Sequence, residues 1–556
     1  MRPSPRWSLV AGLFVLLGCG DSGPAGPVGG AFDIGQSLAV ESGRDARVIG
    51  GANGGFFELV LANIAGDTLS STAFALRTTG IADGIPGPFG SRSPLAPGAR
   101  GASAPPALRD DALEERLRDR ERAALAPRID AARRWYAARV PALPAAPSIG
   151  DLVTINVNAA VPCSNPVYHA VRVAAIGSKA LVLEDTLNPK PGFTTADFQR
   201  FAARFDTLVY PLDVAAYGTP TDIDGNGRIA IVFTLAVNEL TPANAQSYVG
   251  GLTFSRDLFP QVGTARAQAC AASNEGELFY MMTPDPYGVV NGNRRSAGFV
   301  DTVVTSVLAH ELVHLINASR KLYVNTAAPR FEEKWLDEGL AHVAEELLFY
   351  RESGLSSRSN LDYATLAATN RTRGAYRADM AANAARYKEY LFATAKSSPY
   401  RGGDSLATRG AAWSLLRYLA DRTRTADGDV WSRLVDNSVT GMANLQAVFG
   451  KDVPAMVRDW AGSHDLDDRV TTSPAFQQPS WNWHSIYGGI DGLDALYPLR
   501  PTPLSASTST YTGSLVAGGA DYYSFSVPPN DTATITLGAA GGVAASSLQF
   551  LIVRTQ

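Results

Sequence analysis

The feature that most constrains the fold is a run of apolar residues at helical spacing around His310-Glu311-Leu312-Val313-His314. The apolar positions are Val303, Val304, Val307, Leu308, Leu312, Leu315 and Ile316. This spacing predicts a helix from about residue 301 to 320. His310 and His314 lie four positions apart, so both imidazoles project from one face and can reach one metal ion. The alternative is a buried helix with two incidental histidines, but a buried Glu311 without a partner would be costly.

A second segment, Trp335-Leu336-Asp337-Glu338-Gly339-Leu340-Ala341, begins another amphipathic helix over about 332–349. Glu338 is the predicted third ligand. Two histidines and a carboxylate form a known catalytic zinc set, which leaves one position open for water. Glu311 is then suited to take a proton from that water and to pass it to the leaving amine.

Two further side chains on the second helix, those of His342 and Glu345, are predicted to lie near the site. His342 follows Glu338 by about one turn. It is interpreted as a rival ligand, as a partner of a ligand, or as a partly buried histidine beside the site. Glu345 is predicted to orient a ligand imidazole, as carboxylates around metal sites commonly do. Glu346 is expected to face solvent.

The two segments His310 to Asn317 and Trp335 to Ala341 resemble the gluzincin metallopeptidases, and within them the hyicolysin-type neutral metallopeptidases of bacteria. The resemblance covers about 150–465. It implies zinc bound by His310, His314 and Glu338, with Glu311 as the base. It also implies an α+β, zincin-like fold with a mixed sheet, an active-site helix and a helical C-terminal subdomain. Residues 277–283 are predicted as the edge strand of that sheet, where a peptide substrate would add by backbone pairing.

The chain is predicted to form several domains, because 556 residues exceed one ordinary core. Residues 20–82 are interpreted as a small β module. Residues 83–147 are interpreted as a linker and an exposed helix, and whether this stretch is a pro-segment or a spacer stays open. Residues 148–480 form the predicted metallopeptidase domain. Residues 500–556 form a C-terminal module, in which Gly513 to Val527 resembles the bacterial pre-peptidase C-terminal domain and implies a small β-sandwich.

The N-terminus is predicted to be an export signal. Arg2 and Arg6 precede an apolar run from Trp7 to Leu17, and this run is too short to span a bilayer. The sequence Leu16-Leu17-Gly18-Cys19 resembles the bacterial lipobox. That resemblance implies a signal peptide over residues 1–19, lipidation of Cys19 and a lipid anchor in the bacterial cell envelope. The alternative is a plain secretory signal and a secreted protein.

The remaining cysteines are Cys163 and Cys270. Two cysteines in an exported chain favour a disulfide. The alternative is two buried free thiols. Either way, the predicted location of the folded chain is outside the cytoplasm.

The segment Asp222-Ile223-Asp224-Gly225-Asn226-Gly227-Arg228 resembles the first half of a calcium loop. Asp222, Asp224 and Asn226 offer oxygen atoms at alternate positions. The twelfth position is Phe233 rather than Glu, so the segment is no complete EF-hand. Two interpretations stay open, a calcium site and a hairpin turn, because Asp-Gly and Asn-Gly are both favoured in hairpins.

Together these features predict a zinc-dependent endopeptidase that acts on protein or peptide substrates. The formal net charge of −4 argues against a general nucleic-acid binder. The alternative function is a non-catalytic cell-surface binding lipoprotein on a peptidase scaffold. Glu311 argues against that alternative, since a structural zinc site has no use for a base at that position.

Overall fold

The structure is a computed structural model that describes residues 28–67, 70–83, 108–109, 111–139, 147–159, 161–245, 247–263, 269–400, 405–490, 497–539 and 545–556. The predicted signal peptide, the lipidation site Cys19 and most of the predicted linker lie outside these residues.

Strands occur at both ends of the described chain and in its first half. They are β1 (Val28–Ala31), β2 (Ser37–Glu41), β3 (Asp45–Ile49), β4 (Gly55–Asn63), β5 (Ser71–Thr79), β6 (Leu108–Arg109), β7 (Leu152–Asn156), β8 (Tyr168–Ile176), β9 (Ala180–Asp185), β10 (Ile229–Phe233), β11 (Ser247–Tyr248), β12 (Gly251–Leu252), β13 (Leu278–Met281), β14 (Thr502–Pro503), β15 (Thr510–Val516), β16 (Ala520–Val527), β17 (Thr532–Gly538) and β18 (Leu548–Arg554).

Helices dominate the second half. They are α1 (Asp111–Leu125), α2 (Ile129–Ala138), α3 (Thr195–Arg204), α4 (Tyr210–Tyr217), α5 (Leu235–Glu239), α6 (Ala297–Ser319), α7 (Lys334–Ser353), α8 (Tyr363–Ala367), α9 (Asn370–Ala375), α10 (Ala381–Leu391), α11 (Leu406–Asp421), α12 (Asp427–Val435), α13 (Gly441–Phe449), α14 (Val453–Leu466) and α15 (Trp483–Ile490).

Strands from the two ends of the chain form one β-sandwich. Its sheets have the strand orders β1-β3-β17-β5-β15 and β14-β16-β4-β18-β2. In the first sheet β17 pairs antiparallel with both β3 and β5, and in the second β4 pairs antiparallel with both β16 and β18. The sandwich has its own apolar core, which includes Phe57, Phe74, Phe525 and Phe550.

This arrangement corrects the prediction of two separate small β modules at 20–82 and 500–556. Each segment contributes five strands, and each sheet mixes strands from both segments. The pairing could not be foreseen because alternating apolar residues indicate a strand but do not specify its partner. Each segment alone would leave its apolar faces exposed to water, and their association buries those faces.

A six-stranded mixed sheet forms the centre of the molecule, with the order β12-β13-β10-β9-β8-β7. The strands β9, β10 and β13 are parallel, whereas β7 and β8 pair antiparallel at one side. The sequence of β10, Ile-Ala-Ile-Val-Phe, is almost wholly buried, as expected for a strand covered on both faces. The predicted α+β class is therefore confirmed.

The edge of this sheet differs from the prediction. Residues 277–283 contain β13, which is the second strand of the sheet. The edge strand is β12. It pairs antiparallel with β13, with Gly251 opposite Met281 and Leu252 opposite Tyr280. A strand of two residues carries no periodicity that a sequence pattern can reveal. The prediction of 277–283 as the edge strand was therefore wrong.

The two segments that carry the predicted ligands lie on neighbouring helices. Ser296 begins α6, since its side chain accepts a hydrogen bond from the backbone N–H of Phe299, a common helix N-cap. Gly354 ends α7 with φ of 78°, a left-handed conformation that glycine adopts without strain. The helices α6 and α7 pack directly against each other.

Helix α6 is also apolar along most of its length. Together with the turn that follows it, Ala297–Val324 is long and apolar enough to cross a membrane, and among the described residues it is the one segment of this kind. However, 67% of its most apolar stretch is buried inside the protein. Its composition is that of a core helix packed between the central sheet and other helices.

The segment predicted as an exposed helix forms α1 and α2, and both pack against the rest of the molecule. Leu117, Leu125 and Ala132 are buried, and so is Glu121. The many arginines hide this apolar stripe in the sequence, because long cationic side chains bury their stems and keep only their ends polar. The prediction of an exposed helix is thereby corrected.

Candidate metal and active site

Three side chains from α6 and α7 converge at one point. The Nε2 atoms of His310 and His314 lie 3.1 Å apart. The Oε2 atom of Glu338 lies 3.4 Å from Nε2 of His310, and its Oε1 atom lies 3.6 Å from Nε2 of His314. All three side chains are buried, with at most 2% of each residue exposed. The structure thus brings together the three predicted ligands.

The spacing of these atoms fits a tetrahedral zinc site. Zinc binds histidine nitrogen and carboxylate oxygen at about 2.0–2.2 Å, so two ligand atoms of one tetrahedral ion lie roughly 3.3–3.5 Å apart. The two histidine nitrogens lie 3.1 Å apart, and the nearest Glu338 oxygens lie 3.4 Å from His310 and 3.6 Å from His314, one oxygen facing each nitrogen. Two imidazole nitrogens that face each other with a carboxylate beside them have the donor chemistry that zinc prefers.

The second nitrogen of each histidine faces a carboxylate. Nδ1 of His310 lies 2.8 Å from Oε1 of Glu345, which is the orienting contact predicted for Glu345. Nδ1 of His314 lies 3.0 Å from Oδ2 of Asp337. Sequence reasoning did not assign Asp337 a role, although it directly precedes Glu338. Such carboxylates fix the tautomer and the orientation of the ring, so that Nε2 points to the metal position.

His342 belongs to a different group of atoms. It is fully buried, and its Nδ1 lies 3.3 Å from Oε2 of Glu345. Its potential ligand atoms lie close to those of His310 and Glu345. The group described above consists instead of His310, His314 and Glu338. Burial, followed by the charge of Arg386, lowers the pKa of His342 to about 3. His342 is therefore neutral and contacts the residue that orients His310.

Charged groups around the ligands shift the pKa values of His314 and Glu338 in opposite directions. Burial and Arg118 lower the pKa of His314, but Asp337 and Glu338 outweigh them and raise that pKa to about 9. Burial alone would raise the pKa of Glu338, whereas Arg409 and His314 hold it well below its usual range. The Nη1 atom of Arg409 lies 3.0 Å from Oε2 of Glu338. Arg409 has no recognisable signal in the sequence, because it lies in a distant helix.

Glu311 lies at the border between α6 and the edge of the sheet. Its Oε2 accepts a hydrogen bond of 2.9 Å from the backbone N–H of Thr253, the residue after the edge strand β12. The residue is 1% exposed. The predicted base therefore lies next to both the ligand group and the edge strand of the central sheet.

Helix α1 closes the site. The Nη2 atom of Arg118 lies 3.6 Å from Oε2 of Glu311, and its Nε lies 3.9 Å from Oε1 of Glu338. The same guanidinium donates a hydrogen bond of 3.0 Å to the carbonyl oxygen of Thr253. One turn later, Arg122 lies 3.5 Å from Asp337. A single side chain of α1 thus contacts the predicted base, a predicted ligand and the end of the edge strand.

A small cavity lies next to α1 and Asp337. The cavity lined by Arg118, Arg122, Asn317 and Asp337, among others, has a volume of about 10 Å³, which is room for about one water molecule. The two-residue strand β6, just before α1, pairs in parallel with β11, which lies three residues before β12. The backbone just before α1 is therefore paired with the segment that leads into the edge strand β12.

Other predicted site residues lie elsewhere. Cys163 and Cys270 form a disulfide. Asp222 and Asp224 lie together near Glu277, far along the chain from the histidines. Glu346 does not face solvent as expected: it is fully buried, and its Oε2 lies 2.8 Å from Nη2 of Arg417.

Comparison with known proteins gives one informative similarity. No protein-family model matches the chain. Over 154 residues it is 29% identical to the neutral metalloprotease ShpI of Staphylococcus hyicus. The similarity supports a metallopeptidase. It covers 28% of this chain and 31% of the relative, so it extends to less than a third of either protein.

Proposed function

We propose that the chain is a zinc-dependent endopeptidase in which His310, His314 and Glu338 hold the metal and Glu311 is the general base. The observation that carries this proposal is the convergence of the two histidine nitrogens and the Glu338 carboxylate at separations of 3.1 to 3.6 Å, with Glu311 beside them. The similarity to a neutral metalloprotease supports the same chemistry. A structural zinc site would be closed by a fourth protein ligand.

In this proposal the three ligands bind the metal, and Glu311 transfers the proton. When bound, zinc would polarise the scissile carbonyl and lower the pKa of a water molecule towards about 7. The carboxylate of Glu311 takes the proton of the attacking water and delivers it to the departing amine nitrogen. The N–H of Thr253 holds that carboxylate in place. In this proposal the substrate, a protein or peptide, lies along the edge strand β12 and pairs with it through its backbone.

In this proposal the conformation with α1 over the site is a closed state. Arg118 neutralises both Glu311 and Glu338, and a peptide cannot reach the ligands while α1 occupies the cleft. Of the two roles left open for this stretch, the proposal favours a pro-segment, because a spacer would have no reason to place an arginine between two site carboxylates. Activity then requires α1 to leave, either by movement or by cleavage of the chain.

We further propose that the enzyme works outside the cytoplasm, on protein or peptide substrates. The Cys163–Cys270 disulfide supports an oxidising location. The lipobox at Cys19 makes a lipid anchor in the cell envelope the favoured arrangement, with secretion as the alternative. Radiolabelled palmitate incorporated by the wild-type chain and not by Cys19→Ser is the expected result for the anchor.

The decisive test of zinc dependence is casein hydrolysis by the full chain and by Arg118→Ala, a variant in which we expect the site to open. We expect 1,10-phenanthroline to abolish hydrolysis and added zinc to restore it, because the ligand set binds the metal on which catalysis depends. The isomer 1,7-phenanthroline, which does not chelate zinc, serves as the control. Hydrolysis that persists after zinc has been removed would overturn the proposal. Zinc binding without hydrolysis in both proteins would favour the non-catalytic binding protein.

A further inference from the structure

The loop at residues 222–228 connects α4 to β10, and its position excludes a hairpin. A hairpin joins two antiparallel neighbours, whereas β10 pairs in parallel with β9 on one side and β13 on the other. The chain therefore folds this loop for a different reason. Gly225 and Gly227 have φ of 75° and 70°, so the loop curls back on itself. The hairpin interpretation of this segment was wrong.

Hydrogen bonds within the loop fix its acidic side chains. Oδ2 of Asp222 accepts from the N–H of Gly227 at 3.0 Å, and Oδ1 of Asp224 accepts from the N–H of Asn226 at 3.0 Å. Oδ1 of Asn226 accepts from the N–H of Arg228 at 2.6 Å. The loop thus presents two carboxylates on a short, hydrogen-bonded turn, and Asn226 helps to close that turn.

A third carboxylate reaches the loop from the central sheet. Glu277 lies directly before β13 and is 3% exposed. Its Oε1 accepts a hydrogen bond of 2.9 Å from the N–H of Ile223, while its Oε2 is buried without a hydrogen-bond partner among the described residues. Ligand atoms of Glu277, Asp222 and Asp224 all lie within 4.8 Å of one another. No sequence pattern links Glu277 to the loop.

Full ionisation of these carboxylates is unfavourable without a cation. Burial, together with the charges of Asp224 and Asp222, raises the pKa of Glu277 to about 8. Burial also raises the pKa of Asp224 to about 6, with Asp222 adding to the effect, and the attraction of Arg139 does not offset it. Buried carboxylates are ordinarily paired with a cation or bound to a metal. The unpartnered oxygen of Glu277 points to a missing positive charge at this place.

We infer that Asp222, Asp224 and Glu277 bind a calcium ion. The donors are all hard oxygen atoms, without histidine or cysteine, which excludes a zinc preference. Calcium accepts six to eight oxygen ligands in flexible geometry, and carbonyl groups and water complete such a set on a loop. The ion would tie the loop after α4 to β13, the strand that pairs with the edge strand β12. This inference stands independently of the proposed peptidase activity.

The inference is tested by thermal unfolding of the full chain loaded with zinc, with and without 1 mM CaCl₂. We expect calcium to raise Tm by about 2–5 °C, because a ligand that binds only the folded state stabilises it. Glu277→Gln should lose this shift. Glu275→Gln is the matched control, since Glu275 is half-buried and its Oε1 accepts from the N–H of Gln261 at 2.8 Å instead.

Direct binding gives a second measurement that does not depend on stability. Equilibrium dialysis with radioactive calcium should find one tightly bound ion per wild-type chain and none in Glu277→Gln. If that variant does not fold, Asp224→Asn replaces it, because its side chain is only half-buried. A Tm shift that persists in the variants, an equal shift with MgCl₂, or the absence of a bound ion in the wild type would each overturn the inference.

Discussion

Glu311→Gln is expected to reduce casein hydrolysis by about 10²–10⁴-fold, the usual contribution of a general base. Glutamine has nearly the same shape and still accepts the hydrogen bond from Thr253, whose N–H lies 2.9 Å from the carboxylate. It has no basic oxygen that can take a proton from water. The variant should therefore bind zinc in the same amount as the wild type, measured by atomic absorption, and lose only the reaction.

Asp301→Asn provides the control for this experiment. Asp301 lies on the same helix, a little under three turns earlier, where it is half-buried and pairs with Arg200 at 2.6 Å. Its replacement should leave hydrolysis unchanged. A fully active Glu311→Gln protein would remove Glu311 from the reaction, whereas loss of zinc from the variant would instead mean that Glu311 supports the metal site.

Arg118→Ala is expected to raise kcat/KM of the full chain for a fluorogenic peptide at least about tenfold. Truncating one member of a buried charge pair costs about 2–5 kcal/mol. Here that cost falls on the closed state and shifts the equilibrium towards the open state, and about 1.4 kcal/mol corresponds to a factor of ten. Loss of the guanidinium removes the contacts to Glu311, Glu338 and Thr253. The closed state is then less populated, and a larger fraction of the protein accepts substrate.

Two variants separate this effect from general loosening of the molecule. Arg120→Ala changes an exposed arginine on the same helix and should leave the rate unchanged. The double variant Arg118→Ala/Glu311→Gln should be as inactive as Glu311→Gln, which would show that the gained activity comes from the same site. Equal rates for Arg118→Ala, Arg120→Ala and the wild type would contradict the closed-state interpretation.

The parts of the site that the sequence predicts are local. Four-residue spacing on one helix places His310 and His314 on the same face whatever surrounds them. Glu338 and Glu345 were identified because the chemistry of a metal centre requires a third ligand and an acceptor for a ligand imidazole. Asp337 was within reach of the same argument, since it lies in the same turn as Glu338.

The parts that escaped prediction depend on contacts between distant segments. Arg118 reaches Thr253 across 135 positions, and Arg417 reaches Glu346 across 71. A single sequence contains no signal for such pairs, because a charged residue on an amphipathic helix ordinarily faces water. Glu346 was expected to face solvent for that reason, and its buried ion pair overturns the expectation. The contact between Glu277 and the loop at 222–228 also escaped prediction, because it joins segments 54 positions apart.

The interleaved sandwich also sets the order in which the molecule is able to fold. Asn63 donates a hydrogen bond to the carbonyl oxygen of Leu515, 452 positions later. At a synthesis rate of about 5–20 residues per second, the first five strands wait roughly 20–90 s for their partners. The helices and the central sheet between them can assemble during that interval. The sandwich is therefore completed only after β14 to β18 have been synthesised, and a chain interrupted before that point leaves unpaired strands exposed to aggregation.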